Sequence, residues 1–222
     1  MSKNTPFTVD DAYALNTPAD STRLYGEWAE TYDEDFVARS GYVVYRRVVD
    51  ALLQHREQIN GPVFDIGCGT GIVGAVLRDN GVEIVDGIDI SQPMLGEAKK
   101  KQTVRGDAVF RHLVAADLTQ RVDIPDNRYA GLISAGTFTH GHLGPEPLDE
   151  IWRVANIGAW CAIGVRTTHY LAAGFGEKLA VDVREGTISE PNLIEVHMYS
   201  PGVGDEEHAD DKVFIVVCQV LR

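Results

Sequence analysis

Cysteine is scarce in this chain, with three residues at positions 68, 161 and 218. They are too few and too scattered for a disulfide framework, and no pair has the spacing of a metal knuckle, so a reducing compartment fits. Positive charge is short as well. Against 33 acids stand 20 bases, a net charge of -13, and such a field repels phosphate backbones and anionic lipid. No nucleic-acid or membrane partner is therefore expected. The one basic run, Lys99-Lys100-Lys101, falls where a helix should end, and cations there complement the negative end of its dipole. Long apolar runs are missing too, since VFIVVC near the C-terminus suits a buried strand and falls far short of the ~20 residues that cross a bilayer. MSKNTPFTVDDAYALNT at the N-terminus has neither the basic start and apolar stretch of a signal peptide nor the Arg-rich character of a transit peptide. These absences point to a soluble, cytoplasmic protein without a metal.

What remains is regular. The 222 residues suit one domain able to bury on the order of 70% of its unfolded surface. We expect a tail and lid over 1–40, with its first 20 residues polar and unpatterned, and a sheet with helices over 41–222. Val44, Val48, Ala51 and Leu52 form one helical stripe before the breaker Asn60-Gly61-Pro62. Strands and helices then alternate: strands at 63–66, 83–90, 109–116, 132–135 and 160–165, and helices around Val73 to Leu77, over 91–101, and from Leu148 to Ala155. Such units imply a doubly wound, mainly parallel sheet covered on both faces. After a Gly- and Ala-rich stretch at 169–190, LIEVHMY and KVFIVVCQVL follow each other across the acidic loop GDEEHADD. They should close a seven-stranded α/β sheet as an antiparallel hairpin.

In such a sheet the ligand sits beyond the carboxyl ends of the strands. After the first strand comes Asp65-Ile-Gly67-Cys68-Gly69-Thr-Gly71, immediately before a helix, where glycines admit close backbone approach and the helix start presents free N–H donors. Asp89 ends the second strand twenty residues beyond Gly69, the spacing at which a carboxylate reaches ribose hydroxyls. Gly69-x-Gly71-x-x-Gly74 also matches the dinucleotide fingerprint, which keeps an NAD(P)-dependent oxidoreductase open. Against it, none of the eight tyrosines has Lys four residues on. An acid such as Asp65 beside the turn would also repel a pyrophosphate and attract an ammonium group.

VFDIGCGTGIVG resembles motif I of the class I S-adenosylmethionine-dependent methyltransferases, and GIDIS with Met94 and Leu95 resembles their second motif. AADLT at 115–119 is similar to the motif whose acid approaches the adenine amino group. YGEWAETYDEDF and ISAGTFTHGHLGPEPLDEIWRV resemble the lid helix and fourth motif of the small Williams-Beuren syndrome region type. The likeness runs from about residue 24 to 166 and implies S-adenosyl-L-methionine as cofactor and a small-molecule methyl acceptor. Carried over by position, Asp65 and Gly67 hold the methionine end, Asp89 the ribose, and Ile90 one face of the adenine, with Cys68, Gly69 and Met94 also among the cofactor-binding residues. Asp117 and Leu118 read the adenine edge, Ser134 lines the methyl-transfer site, and Tyr25, Trp28 and Tyr32 close over the cofactor. Where the family has Lys-Pro-Gly-Gly, this chain has Asn156-Ile-Gly158-Ala. His140 and His142 lie in the loop after the fourth strand, without acids at ligand spacing, and His140 is the residue expected to touch the acceptor or serve as base. A cofactor-binding protein without turnover remains the alternative to an enzyme.

Overall fold

The computed structural model describes residues 18–203 and 208–222, so most of the N-terminal tail and part of the acidic loop lie outside the described residues. Seven strands form one sheet in the order β3-β2-β1-β4-β5-β7-β6. They are β1 (Val63–Ile66), β2 (Val85–Asp89), β3 (His112–Ala115), β4 (Tyr129–Phe138), β5 (Ala155–Arg166), β6 (Asn192–His197) and β7 (Lys212–Gln219). The first five pair in parallel, and β7 runs antiparallel between β5 and β6. The mainly parallel sheet ending in an antiparallel hairpin is as the sequence leads one to expect.

The helices are α1 (Pro18–Trp28), α2 (Val44–Leu53), α3 (Ile72–Asp79), α4 (Gln92–Lys100), α5 (Leu148–Val154), α6 (Thr167–Ala172) and α7 (Phe175–Arg184), with a π-helical turn at Asp33–Ala38. Val44, Val48 and Leu52 of α2 and Val73 and Leu77 of α3 fill one core with Val63 and Ile133 of the sheet. Leu148, Ile151 and Trp152 of α5, with Phe175 and Leu179 of α7, fill the other with Phe64, Ile66 and Leu132. Alternate residues of β1 and β4 thus serve opposite faces, as strand geometry requires. The Ser91 side chain accepts the Met94 N–H at 3.4 Å and caps α4, with Pro93 in the first turn, where its missing N–H costs nothing.

Three details add to the expected order of elements. β4 and β5 are longer than their apolar centres, because each continues through a register shift. The residues departing from Lys-Pro-Gly-Gly fall at the β5 shift: α5 runs straight into Ala155, and the Gly158 N–H donates to Val220 O at 2.7 Å. The Gly- and Ala-rich stretch holds α6 and α7. α7 is anchored by Phe175 and Leu179 together with Asp182, 3% exposed, which accepts the Trp152 indole N–H of α5 at 3.0 Å and pairs with Lys178 one turn earlier in the same helix.

Candidate functional site

A cavity of about 140 Å³ opens at the carboxyl ends of β1, β2 and β4. Its floor is the glycine turn. Gly67 and Gly69 take φ values of +65° and +53°, the left-handed region that favours glycine. A Cβ on Gly69 would meet nothing within 4 Å, so this residue forms an open cradle facing the cavity. The Cys68 thiol stands beside it, its pKa pushed up by burial.

Asp89 holds the turn in place. One carboxylate oxygen accepts the Gly69 N–H at 2.9 Å and the other accepts the Ser91 N–H at 2.8 Å. Burial raises its pKa, and these backbone donors oppose the rise. Ile90, Met94, Asp117 and Leu118 continue the wall from β2, α4 and the loop after β3. Asp117 is braced by Thr119, whose N–H and hydroxyl both donate to one oxygen at 2.8 Å.

Tyr25 of α1 and Tyr32 before the π-helical turn roof the cavity. The segment is tethered from below. The Thr70 hydroxyl donates to Asp33 at 2.6 Å, and Lys101 pairs with the same carboxylate. Lys100 pairs with Glu97, so two lysines of the basic run are engaged in ion pairs within the protein.

Ten of the residues singled out from sequence therefore meet at one cavity: Tyr25, Tyr32, Gly67, Cys68, Gly69, Asp89, Ile90, Met94, Asp117 and Leu118. Four stand behind its wall. Trp28 is fully buried, stacked 6.2 Å from Tyr25 and edge-on 5.1 Å from Tyr32. Ser134 donates to Ile66 O at 2.8 Å and so joins β4 to the start of the turn. Asp65 lies under α3, with one oxygen accepting the Gly74 N–H at 3.1 Å. His140 turns outward, its Nε2 2.9 Å from the Thr168 hydroxyl.

His142 takes the inward place. Its Nδ1 can only donate to the His140 carbonyl, at 3.3 Å, so its Nε2 accepts from the Tyr25 hydroxyl at 3.1 Å. Burial lowers its pKa to about 4, which keeps the ring neutral at physiological pH. The two histidines sit on opposite sides of a turn at Gly141, and residue type alone does not distinguish them. Tyr42, Tyr45 and Thr137 also line the cavity. Tyr45 lies in the first turn of α2 and Tyr42 just before that helix.

The second oxygen of Asp65 has no hydrogen-bond partner among the described residues. Burial pushes its pKa up to about 8, with Asp89 adding to the rise and the Gly74 N–H opposing it. A carboxyl whose folded pKa exceeds its unfolded value near 4 retains a proton that the unfolded chain releases, so stability falls as pH rises from about 4 to about 8. Thermal unfolding at pH 5, 6.5 and 8.5 should show this decline in the wild type and a flatter profile in Asp65→Asn, which stays neutral throughout. Parallel profiles would mean that Asp65 is ionised in the folded protein.

Comparison with known proteins agrees with this geometry. Residues 64–163 match the family model for a methyltransferase domain. Methyltransferase-like protein 27 of Homo sapiens is 28% identical over 165 residues, 72% of this chain and 63% of its own length, so the match spans less than two thirds of that relative. Among solved structures, the [4+2]-cyclase SpnF superposes with a TM-score of 0.65 at 16% identity, covering 93% of this chain and 98% of the other. An S-adenosylmethionine dependent methyltransferase from Mesorhizobium loti gives 0.56 at 16% identity, covering 80% and 98%. With the glycine turn and Asp89 inside the matched residues, the comparisons and the sheet order support a class I S-adenosylmethionine-dependent methyltransferase domain.

Proposed function

We propose that the protein is a single-domain cytoplasmic enzyme that transfers a methyl group from S-adenosylmethionine to a small organic acceptor. The observation that carries this reading is the cavity itself, cradled below by Gly69 and Asp89 and roofed by Tyr25 and Tyr32. The residues fit the cofactor: Asp89 has lone pairs left for ribose hydroxyls, and Ile90 and Leu118 offer apolar faces to the adenine, whose edge Asp117 reads. Gly67, Cys68 and Gly69 take the methionine end, and Asp65 steadies the turn from beneath.

The bound cofactor supplies a methyl group on a positively charged sulfur with a good neutral leaving group. This chain's residues have to exclude water and align the nucleophile. Tyr25 and Tyr32 cover the cavity with ring faces that attract a cation, and Trp28 packs behind both. Neutral His142 orients the Tyr25 hydroxyl and, with its depressed pKa, is a weak base. An acceptor atom that is already nucleophilic, or that loses its proton readily, suits such a site better than an alkyl alcohol. The roof and the charge of -13 both favour a small acceptor over a nucleic acid. All three cysteines are free and buried, as suits a reducing compartment, and no described helix is long and apolar enough to cross a membrane.

Titration calorimetry with S-adenosylhomocysteine, followed by turnover of methyl-labelled S-adenosylmethionine with a metabolite library and with total tRNA, tests the proposal. Binding and labelling of a metabolite are expected. Label entering tRNA alone would overturn the acceptor class, and tighter binding of NAD than of S-adenosylhomocysteine would overturn the cofactor.

A further inference from the structure

A second, smaller cavity adjoins the first across Tyr25, Tyr42 and His142, and runs between the lid and the ends of β4, β5 and β7. We infer that it binds an uncharged, ring-bearing small molecule through one polar group that meets the hydroxyls of Tyr42 and Thr139. If the proposed methyl transfer holds, this molecule is the acceptor.

The two hydroxyls come first. Tyr42 is 6% and Thr139 8% exposed, both line this cavity, and neither hydroxyl has a hydrogen-bond partner among the described residues. A buried polar group left without a partner has lost its hydrogen bonds to water and gained none in return. Two such groups on one cavity are a standing cost to the fold, and a ligand presenting a hydroxyl or a ring heteroatom offsets it.

The walls set the rest of the ligand. Tyr42 lies 6.1 Å from Tyr199 and 5.3 Å from Phe36, ring to ring, and such surfaces suit a flat apolar body. Arg166 is the charged side chain on this cavity among the described residues. Asp211 already holds it through both oxygens, at 2.9 and 3.0 Å. Asp211 already offsets the charge of Arg166 by accepting from its Nη2, so a carboxylate ligand would meet a neutralised cation beside another carboxylate, and an ammonium would approach a guanidinium. Both lose to a neutral ligand, because a charge taken from water without a fresh partner is costly.

Phenol, benzoate and benzylamine separate these cases by ligand-observed NMR on the full chain, free of cofactor. Phenol should bind at least tenfold more tightly than either charged probe. Thr139→Val should weaken phenol binding severalfold while raising Tm slightly, because it replaces an unpartnered hydroxyl with a methyl group, and Tyr42→Phe should do the same. A hydroxyl with a purely structural role would give the opposite sign in Tm. Calorimetry with S-adenosylhomocysteine is the separate readout, since Thr139 does not line the first cavity. Phenol binding no better than the charged probes, or Thr139→Val lowering Tm with phenol affinity intact, overturns the inference. Phenol binding as expected while S-adenosylhomocysteine fails to bind would leave this site standing and remove the methyl-transfer reading.

Discussion

Gly67→Ala should cost the protein both stability and its cofactor. At φ +65° an added Cβ would lie 2.0 Å from Thr137 Oγ1, and Thr137 is not free to swing away, since that oxygen donates to Ile66 O at 3.1 Å. The left-handed backbone alone penalises an L side chain by about 1 to 2 kcal/mol. Relieving the overlap means displacing the end of β4 or the turn itself, so the total should be on the order of 3 kcal/mol or more. For a chain of this size that lowers Tm by roughly 6 to 12 °C, with loss of measurable S-adenosylhomocysteine binding. Gly69→Ala is the instructive contrast, because its Cβ would meet no protein atom. It shares the left-handed penalty of about 1 to 2 kcal/mol but not the overlap, so it should lose less stability than Gly67→Ala and still weaken binding, since the methyl projects into the space we assign to the ligand. Calorimetry and thermal unfolding of the two variants separate turn geometry from occupancy, and wild-type behaviour of Gly67→Ala would refute the close approach.

Asp89→Ala should come next in effect. The side chain accepts the N–H groups of Gly69 and Ser91 and, in our reading, the ribose hydroxyls as well, so its removal loosens the cradle and deletes a ligand contact together. Hydrogen bonds to a charged group contribute about 1.5 to 3 kcal/mol. Affinity for S-adenosylhomocysteine should therefore fall by about tenfold to 150-fold, with the fold retained and a modest loss in Tm. Unchanged affinity in calorimetry would remove Asp89 from the site.

The parts of the site legible in the sequence are those encoded by short-range spacing. Gly67 to Gly71 must follow a buried strand and open a helix, and Asp89 must end the neighbouring strand, so local order nearly fixes them in space. Side-chain direction is a different matter. Asp65 alternates with Phe64 and Ile66, which face the α5 side, and that sends its carboxylate beneath α3 instead of out through the strand tip. The period of two along β1 carries this information, so the position of Asp65 is legible to a reader who applies it. Ser134 is likewise turned to a backbone partner across the sheet. No such pattern distinguishes His140 from His142, because a loop has no period. Helix α7 is harder to read for another reason: a buried Asp182, held by the Trp152 indole, stands beside Phe175, Leu179 and Val183 on its inner face, and an acid in the sequence does not advertise burial.

The sheet order also bears on how the chain is made. β7 is the last strand to emerge during synthesis, yet it occupies an interior position, with β5 on one side and β6 on the other. Until residues 212–219 are available, β5 presents an open edge and β6 has no neighbour in the sheet. Nascent chains short of β7 therefore expose two templates for pairing with other molecules. Emergence of residues 212–219, more than 140 residues after the cofactor turn, is the step that covers both edges.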